Sequence, residues 1–260
     1  MTMLSKMKSC LAPFKAKKLH RYIQNEQWTS ACERCESHPE EATVWTAQQG
    51  FYEGKMNTQV LPIHLACCAR APLEVFKSLI KAYPEGVKSR EARFRRLPLH
   101  LACIFGTSAD VIKMLLFYGL GADDTDMAGR TPLFYALAGS LSTDVISCIL
   151  ERAPDVAEVA DYKGWLPIHV ACHCGASDES ITLLLNAYPE SVSRPTKHGS
   201  LAKIPHHLLP QKCQSPRSVV VDTSSFFPMT DTDQFPQCMV EERDEISSFQ
   251  QHETRRRIYC

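Results

Sequence analysis

The stretch LPIHLAC at residues 61–67 recurs with small changes along the chain. It returns as LPLHLAC from Leu97, TPLFYAL from Thr131 and LPIHVAC from Leu166, at successive spacings of 36, 34 and 35 residues. A shorter copy, IPHHLL from Ile204, begins 38 residues after the fourth one. A constant period of this length is typical of repeat proteins, in which each unit buries its apolar face against the next. The sequence therefore predicts a stack of similar units.

Each unit predicts two short antiparallel helices. The first begins at the proline of the motif, because the first residue of a helix does not need the N–H that proline lacks. The second carries large apolar residues 15, 18 and 19 positions after the motif start, a spacing that lies on one helical face. We expect these twelve residues to be buried: Phe76, Leu79, Ile80, Ile112, Leu115, Leu116, Ile146, Ile149, Leu150, Ile181, Leu184 and Leu185.

Polar and proline residues mark the ends of the second helices. Serine favours a helix N-cap because its hydroxyl accepts a bond from a free backbone N–H. Three serines precede predicted second helices, at Ser108, Ser142 and Ser177. A residue before proline is pushed out of helical geometry, so proline predicts a helix end. Three prolines follow second helices, at Pro84, Pro154 and Pro189.

These motifs resemble the repeats of the ankyrin family. The resemblance rests on Leu97-Pro98-Leu99-His100 with Ala102, on Thr131-Pro132-Leu133 with Ala136, and on Gly121-Ala122-Asp123 followed by Asp126 and Gly129. The LPLHxAC openings and Tyr-Pro-Glu helix ends resemble a divergent branch of that family found in unicellular algae. The resemblance implies an all-α solenoid of stacked helix-turn-helix units. It also implies that the motif histidine forms hydrogen bonds in a turn and takes no part in catalysis.

Three positions depart from the family pattern. Gln59 and Arg95 stand where the family has glycine before the motif, and Phe134 replaces the motif histidine in the third unit. Glycine serves in turns because it tolerates backbone angles that other residues avoid. We therefore expect the first two turns to be non-standard, with the helices retained.

The chain divides into four segments. Residues 1–18 contain five lysines and no acid, and predict a basic flexible arm. Residues 19–60 predict an N-terminal capping helix over residues 19–37 and a long loop, because a solenoid needs an end unit over its first apolar face. Repeats fill residues 61–210. Residues 211–260 lose the periodicity and predict a mostly disordered tail with room for a docking peptide.

The amino-acid composition limits the kinds of protein to which the chain can belong. The 260 residues include 29 basic and 29 acidic side chains, and 44% are apolar, which argues against a disordered chain and a bulk nucleic-acid coat protein. No apolar run reaches the roughly 18 residues of a membrane helix. The N-terminal residues lack the apolar core of a secretory signal, so the 12 cysteines are expected to be thiols. We expect a monomer in the cytosol or nucleus, with no membrane association.

A zinc site is one alternative interpretation of a cluster of potential ligands. The cluster comprises His169, Cys172, His173 and Cys174. The first two occupy motif positions that other copies also fill with histidine and cysteine, so packing and turn hydrogen bonds explain them better. Four neighbouring residues of one short helix also point in different directions. We expect no metal and no cofactor.

Catalysis by the motif histidine is another alternative, with Asp161 or Ser200 as its partner. The chain contains no G-x-S-x-G elbow, no P-loop, no G-x-G-x-x-G fingerprint and no kinase signature. We expect no catalytic residues and no enzymatic activity.

The sequence favours a scaffold that binds other proteins. Repeat solenoids offer partners an extended concave face, and the resemblance implies that the loop tips between units also bind. Aromatic residues and arginine contribute most at many interfaces. At these positions we expect the partner contacts to be Arg93, Phe94, Arg95, Arg96, Ile104, Phe105, Tyr162, Trp165 and His173.

The charge distribution suggests how such a partner is oriented. Residues 85–96 carry a net charge of +3, whereas residues 123–161 carry −6. This predicts a solenoid polarised along its length, with Arg93, Arg95 and Arg96 as a basic edge for an acidic partner segment. The acidic third unit argues against the alternative of a nucleic-acid-associated regulatory protein, whose binding face would be positive.

Overall fold

The computed structural model describes residues 18–49, 51, 57–119 and 121–209. The predicted arm, apart from Lys18, and the predicted tail lie outside these residues. Five helix pairs stack in chain order within the described ranges. They are α1 (Lys18–Gln24) with α2 (Trp28–Ser37), α3 (Pro62–Cys68) with α4 (Leu73–Ala82), α5 (Pro98–Phe105) with α6 (Ala109–Gly119), α7 (Pro132–Ala138) with α8 (Thr143–Arg152), and α9 (Pro167–Cys174) with α10 (Asp178–Ala187).

The predicted helical faces form the core. All twelve residues at the three shared positions of the second helices are at most 7% exposed. The motif alanines are fully buried, and they lie where first helices of neighbouring pairs contact each other. These are Ala66, Ala102, Ala136 and Ala171. A small side chain is suited to this position because two helix backbones approach there. The all-α ankyrin-type solenoid is confirmed.

The helix boundaries follow the prolines. Helices α3, α5, α7 and α9 each begin at the proline of the motif. Helices α4, α8 and α10 end two residues before a proline, and each of these prolines begins a 3₁₀ helix. The three 3₁₀ helices span Pro84–Lys88, Pro154–Glu158 and Pro189–Ser193. Of the three predicted caps, the hydroxyls of Ser177 and Ser108 accept a backbone N–H, at 3.2 and 3.4 Å, whereas Ser142 makes no cap bond.

The N-terminal capping unit differs from the prediction. The expected single helix over residues 19–37 is two helices, α1 and α2, separated by a turn in which Glu26 has a φ of 55°. Helix α1 packs on α3 and α2 packs on α4. One straight helix could not cover both layers of the next unit, so the chain must reverse direction at this turn. The cap is therefore a helix pair like those that follow.

The long loop of the capping segment also contains regular structure that the sequence analysis missed. Strands β1 (Thr46–Gln49) and β2 (Asn57–Val60) form an antiparallel pair with Thr46 opposite Val60. Thr58 and Val60 are buried and Gln59 between them is exposed. This alternation is the pattern of a half-buried strand. A pattern of only four residues is too short to identify a strand from the sequence alone.

The fifth unit begins earlier than the motif copy at Ile204 predicted. A turn at residues 196–200 is closed by the Thr196 N–H and the Ser200 carbonyl, as the equivalent residues close the two preceding turns. The equivalent of the motif start is therefore Leu201, 35 residues after Leu166, and the start near Ile204 is wrong. Pro205 then falls inside the would-be helix, where it removes a needed N–H. Only a short 3₁₀ helix forms, at His206–Leu208.

Truncating a shared core position tests the packing. Leu115 of α6 is almost fully buried, so Leu115→Ala is expected to lower the free energy of unfolding by about 2–5 kcal/mol through lost contacts and a cavity. Lys113→Ala, at an exposed position of the same helix, is expected to change it by less than about 0.5 kcal/mol. Denaturant titration measures both. A Leu115→Ala protein as stable as the wild type would contradict the assigned core.

Candidate protein-binding site

Four turns, each following a helix pair, are here termed finger turns; the β1–β2 hairpin counts as the first finger, so these turns belong to the second to fifth fingers. They comprise residues 91–96, 126–130, 161–165 and 196–200. In each, the first residue's N–H donates to the last residue's carbonyl at 2.9–3.0 Å. The penultimate residue has a positive φ, and it is glycine in three turns and Arg95, at 57°, in the first. The first of these turns also contains an extra residue, so it is non-standard as expected.

A buried polar side chain fills three of these turns in the same way. Asp126 Oδ1 accepts the N–H groups of Ala128 and Arg130, at 2.8 and 3.1 Å. Asp161 Oδ1 accepts two amides of its own turn, both at 2.9 Å. Glu91, a longer acid in the longer turn, accepts three, from Arg93, Phe94 and Arg96. In the last finger turn Thr196 Oγ1 takes this place and accepts one amide at 3.2 Å.

Each acid also contacts the preceding finger. Arg96 Nε donates to Asp126 Oδ2 at 3.2 Å, and Arg130 Nε lies 3.5 Å from Asp161 Oδ2. In both ion pairs the two side chains are at most 4% exposed. Thr58 of β2 donates in the same way to Glu91 at 2.7 Å. A buried carboxylate is tolerated only when it is paired and hydrogen-bonded, so these contacts hold neighbouring finger turns in fixed positions. We call this series the finger ladder.

Arg96 was predicted to be an exposed partner contact, and the structure shows that this is wrong. The residue is 2% exposed. Its guanidinium lies over the Phe94 ring at 4.6 Å and over the Tyr135 ring at 4.9 Å, and it donates to the Tyr135 hydroxyl at 2.8 Å. The reason is Asp126, thirty residues later, which provides the buried charge that arginine neutralises.

Asp126 accepts bonds from both backbone and side-chain donors. Besides two turn amides and Arg96, it accepts the Tyr135 hydroxyl at 2.5 Å. Burial alone would raise its pKa, but the Tyr135 hydroxyl, the Arg96 charge and the two amides outweigh burial and lower the pKa of Asp126 below its ordinary value. The carboxylate is therefore charged at neutral pH, and its charge is paired with Arg96 inside the protein.

Backbone hydrogen bonds join the finger turns into a continuous row. The N–H groups of Ala92, Met127, Tyr162 and Lys197 each donate to a carbonyl of the preceding finger, at distances of 2.9–3.2 Å. These donors occupy equivalent positions, one residue after the side chain that fills the turn. The exposed basic, methionine and tyrosine side chains of this row form what we call the tip surface: Arg93, Arg95, Met127, Tyr162, Lys163 and Lys197. Sequence reasoning missed Met127, Lys163 and Lys197, although their register relative to the turn acids was available.

The structure changes the predicted charge pattern. Of the acids in residues 123–161, Asp126 and Asp161 are buried in ion pairs, and Asp124 pairs with Arg90 at 2.5 Å. Asp123 is exposed just before the turn at residues 126–130, and the other acids of the stretch lie on α8 and the 3₁₀ helix after it, outside the finger turns. Every exposed charge within the four finger turns is basic. The finger turns therefore carry exposed charge of one sign, and the acids behind the predicted polarity along the solenoid are either buried in these turns or lie outside them.

Other residues predicted to contact a partner, in the first half of the solenoid, are partly covered by neighbours from the chain itself. Phe94 is half-buried beneath the Arg96 guanidinium, and its carbonyl accepts the Met127 N–H. Ile104 and Phe105, at the end of α5, are also half-buried. The Phe51 ring approaches the Phe105 ring edge-on at 6.2 Å. The structure thus places these three beside intrachain neighbours, with part of each surface accessible.

The predicted contacts of the fourth unit are more exposed. Tyr162 is 66% exposed on the tip surface. Trp165 is half-buried at the end of the same finger turn, and its ring meets the His173 ring edge-on at 5.5 Å. His173 itself is exposed at the end of α9. The structure therefore brings Trp165 and His173 together, next to the finger that carries Tyr162.

A comparison with known families covers the same units. The family described as Ankyrin repeats (3 copies) matches residues 63–156 and 99–194, which together span half of the chain. The chain belongs to the ankyrin repeat family. No curated protein matches it. Ankyrin repeats generally mediate binding between proteins, and proteins built from them are typically interaction modules without enzymatic activity.

The ankyrin motif histidines form turn hydrogen bonds, as the resemblance implied. His64 Nδ1 accepts the Leu61 N–H at 3.0 Å and its Nε2 donates to the Ser89 carbonyl at 2.9 Å. His100 repeats this arrangement in the next unit. Burial lowers the pKa of both rings to about 4, so they are neutral at physiological pH. His64 thus links the start of its unit to Ser89, just before the next finger turn, and His100 links its unit to Arg130, the last residue of the next finger turn.

The suggested catalytic and zinc-binding groups have other contacts. Both oxygens of Asp161 face its own turn and Arg130. His169 Nδ1 accepts the Leu166 N–H at 3.0 Å, while the His173 ring meets the Trp165 ring edge-on. Among the described residues, no group of three or more His, Cys, Asp or Glu is placed to hold a metal ion. In the same part of the chain, no helix has both the length and the apolar character needed to cross a membrane.

The neutral histidines give stability a definite pH dependence. An unfolded histidine has a pKa of about 6.5, whereas folded His100 has a pKa of about 4. As the pH falls from 6.5 to 4, the unfolded chain therefore binds a proton that the folded chain refuses, and the free energy of unfolding falls by at most about 1.4 kcal/mol per pH unit. His100→Phe copies Phe134 of the third unit and is expected to make this slope shallower.

Denaturant titrations at a series of pH values between 4 and 7 measure the slope independently of the absolute stability of the variant. The control is Asn186→Phe, because Asn186 is exposed on α10 and carries no titratable group, so the slope is expected to stay unchanged. An identical slope for wild type and His100→Phe would contradict a buried neutral histidine.

Proposed function

We propose that this ankyrin protein is a non-enzymatic scaffold or adaptor whose tip surface binds an acidic segment of a protein partner. The observation that supports the proposal is the separation of charge in the finger turns. The acids of the turns are buried in the ladder, whereas Arg93, Arg95, Lys163 and Lys197 are exposed. An acidic segment that approaches the tips meets attraction at several points and no exposed acid in the turns.

The tip surface also offers apolar contact. Met127 and Tyr162, which are 57% and 66% exposed, lie between the basic residues of the second and fourth fingers. Aromatic side chains contribute strongly to binding when a partner covers them. Because backbone hydrogen bonds and the ladder fix the fingers, the partner would bind a surface that is ordered in advance, which reduces the entropic cost of association.

We propose that the predicted concave side provides a second area of contact, at the ends of the first helices α5 and α9. Ile104 and Phe105 are partly accessible there at the end of α5, and Trp165 with His173 extends the surface at the fourth unit. We propose that a partner segment held at the tips also contacts these side chains.

A nucleic-acid partner is the alternative, and the basic tips are the observation that favours it. Phosphate recognition usually involves many cations, and its affinity falls steeply with salt. The tip surface offers four cations, together with methionine and tyrosine, a mixture that suits a protein segment better. An electrophoretic shift of single- or double-stranded DNA or RNA at low salt would favour the alternative.

We propose that the protein acts in the cytosol or nucleus. The eight cysteines in the described residues are free thiols, as expected in a reducing compartment. Burial raises the pKa of Cys103 to about 12, so this thiol stays protonated and serves as a small buried apolar group. Imaging of the tagged full-length chain tests this location.

Charge reversal at the tips tests the proposed surface. The variant Arg95→Glu, Lys163→Glu and Lys197→Glu is expected to reduce partner binding about tenfold or more, because each lost exposed charge contact contributes about 0.5–1 kcal/mol. The matched control is Lys81→Glu, Lys113→Glu and Arg152→Glu, which changes the same net charge at exposed positions of the second helices.

Quantitative affinity capture with mass spectrometry compares the proteins retained by wild type and both variants. The proposal requires partners that the tip variant loses and the control keeps. If both variants retain the same partners at wild-type levels, the tip surface is not the binding site.

A further inference from the structure

The fourth and fifth fingers each present one exposed lysine on the tip surface. The Lys197 N–H donates to the Lys163 carbonyl at 3.2 Å, so the two lysines lie side by side on neighbouring fingers. Both side chains are exposed, and neither forms an ion pair with any described residue. Residues 193–204, which include the last finger turn, contain Arg194, Lys197 and Lys203 and no acid.

The chain itself contains a segment of the opposite charge. Residues 219–250 include seven acids and one base. Four of these acids lie within five residues, in the sequence Glu-Glu-Arg-Asp-Glu from Glu241 to Glu245. The segment is flanked by Val240 and Ile246, which supply apolar side chains on both sides of the charges. Its composition therefore matches both features of the tip surface, the lysines and the exposed apolar side chains.

The intervening chain is long enough for this segment to reach the tips. The described structure ends at Leu209, close to α10, where His207 Nε2 lies 2.8 Å from Asp178 Oδ2. The 31 residues between Leu209 and Glu241 can span at most about 100 Å. Helix layers that are packed about 8–10 Å apart give a five-unit stack of roughly 50 Å. No finger of the solenoid is out of reach.

The dimensions of the segment also fit two adjacent fingers. Five residues of extended chain span about 16 Å, and the fourth and fifth fingers are one layer apart, about 8–10 Å. Acids at both ends of the segment can therefore face Lys163 and Lys197 at the same time. Tyr162, one residue before Lys163, is in position to contact the flanking apolar side chains.

We propose that residues 241–245 dock in cis on Lys163 and Lys197 and cover this part of the tip surface until an external acidic segment displaces them. The tether raises the effective concentration of the segment to roughly the millimolar range, so a weak contact suffices for occupancy. This inference uses the same surface as the proposed function, but it requires no external partner.

Zero-length carbodiimide crosslinking of the purified full-length chain tests the inference, because the reagent joins an amine to a carboxylate only when they are in contact. Peptide mapping of the monomeric product is expected to show Lys163 or Lys197 joined to Glu241, Glu242, Asp244 or Glu245. Exposed Lys81 and Lys113 of the second helices serve as internal controls, with at least fivefold lower yield to these acids.

A variant in which Glu241, Glu242 and Glu245 become Gln and Asp244 becomes Asn supplies the matched control. This variant keeps the other carboxylates of the tail, and their crosslinks to Lys163 and Lys197 are expected to fall to the level of the control lysines. In the wild type, 0.5 M NaCl is expected to reduce the crosslinks between the tail and the tip lysines. Equal yields at tip and control lysines would overturn the inference, as would crosslinks confined to a covalent dimer, which would indicate the tail of a second copy. Partner capture by the tips would remain a separate result, so failure of this inference leaves the proposed function intact.

Discussion

The finger turns depend on buried carboxylates. An ionised acid removed from water is unstable unless hydrogen bonds and a countercharge replace its hydration. Asp126 and Asp161 obtain the hydrogen bonds from amides of their own turns and the countercharge from the arginine of the preceding finger. Each acid thereby shapes its own turn and holds that turn at a fixed distance from the preceding finger. Glu91 shapes the first of these turns and accepts Thr58 of the preceding hairpin, whereas Thr196 accepts an amide within the last turn.

Local sequence patterns predicted the helices, whereas contacts between residues far apart in sequence determine which side chains of the site are exposed. The second-helix faces and the proline boundaries follow from residues a few positions apart, and they were predicted correctly. The burial of Arg96 depends on Asp126 in another unit, so a list of exposed arginines could not separate Arg96 from Arg95. The position of the fifth unit was hidden because the histidines and prolines near Ile204 imitate the motif. The Thr196–Ser200 turn bond reveals the true register.

The same ladder explains why a chain of zero net charge presents a surface of one sign. Acids are buried inside the turns, and the exposed charges that remain in the turns are all basic. Position, rather than composition, creates the basic surface. The proposed scaffold function follows from this surface together with membership of the ankyrin repeat family, and the acidic stretch of the tail provides a ligand of matching charge within the chain itself.

A double-mutant cycle between Arg96 and Asp126 tests the central claim most directly. Denaturant unfolding of wild type, Arg96→Met, Asp126→Asn and the double variant gives the coupling free energy between two residues thirty positions apart. Either single variant is expected to lose about 3–5 kcal/mol, because it leaves a buried charge without its partner. The ladder predicts a coupling of about 1–3 kcal/mol, so that the double variant loses less than the sum of the two single losses. Additivity within about 0.5 kcal/mol would contradict it.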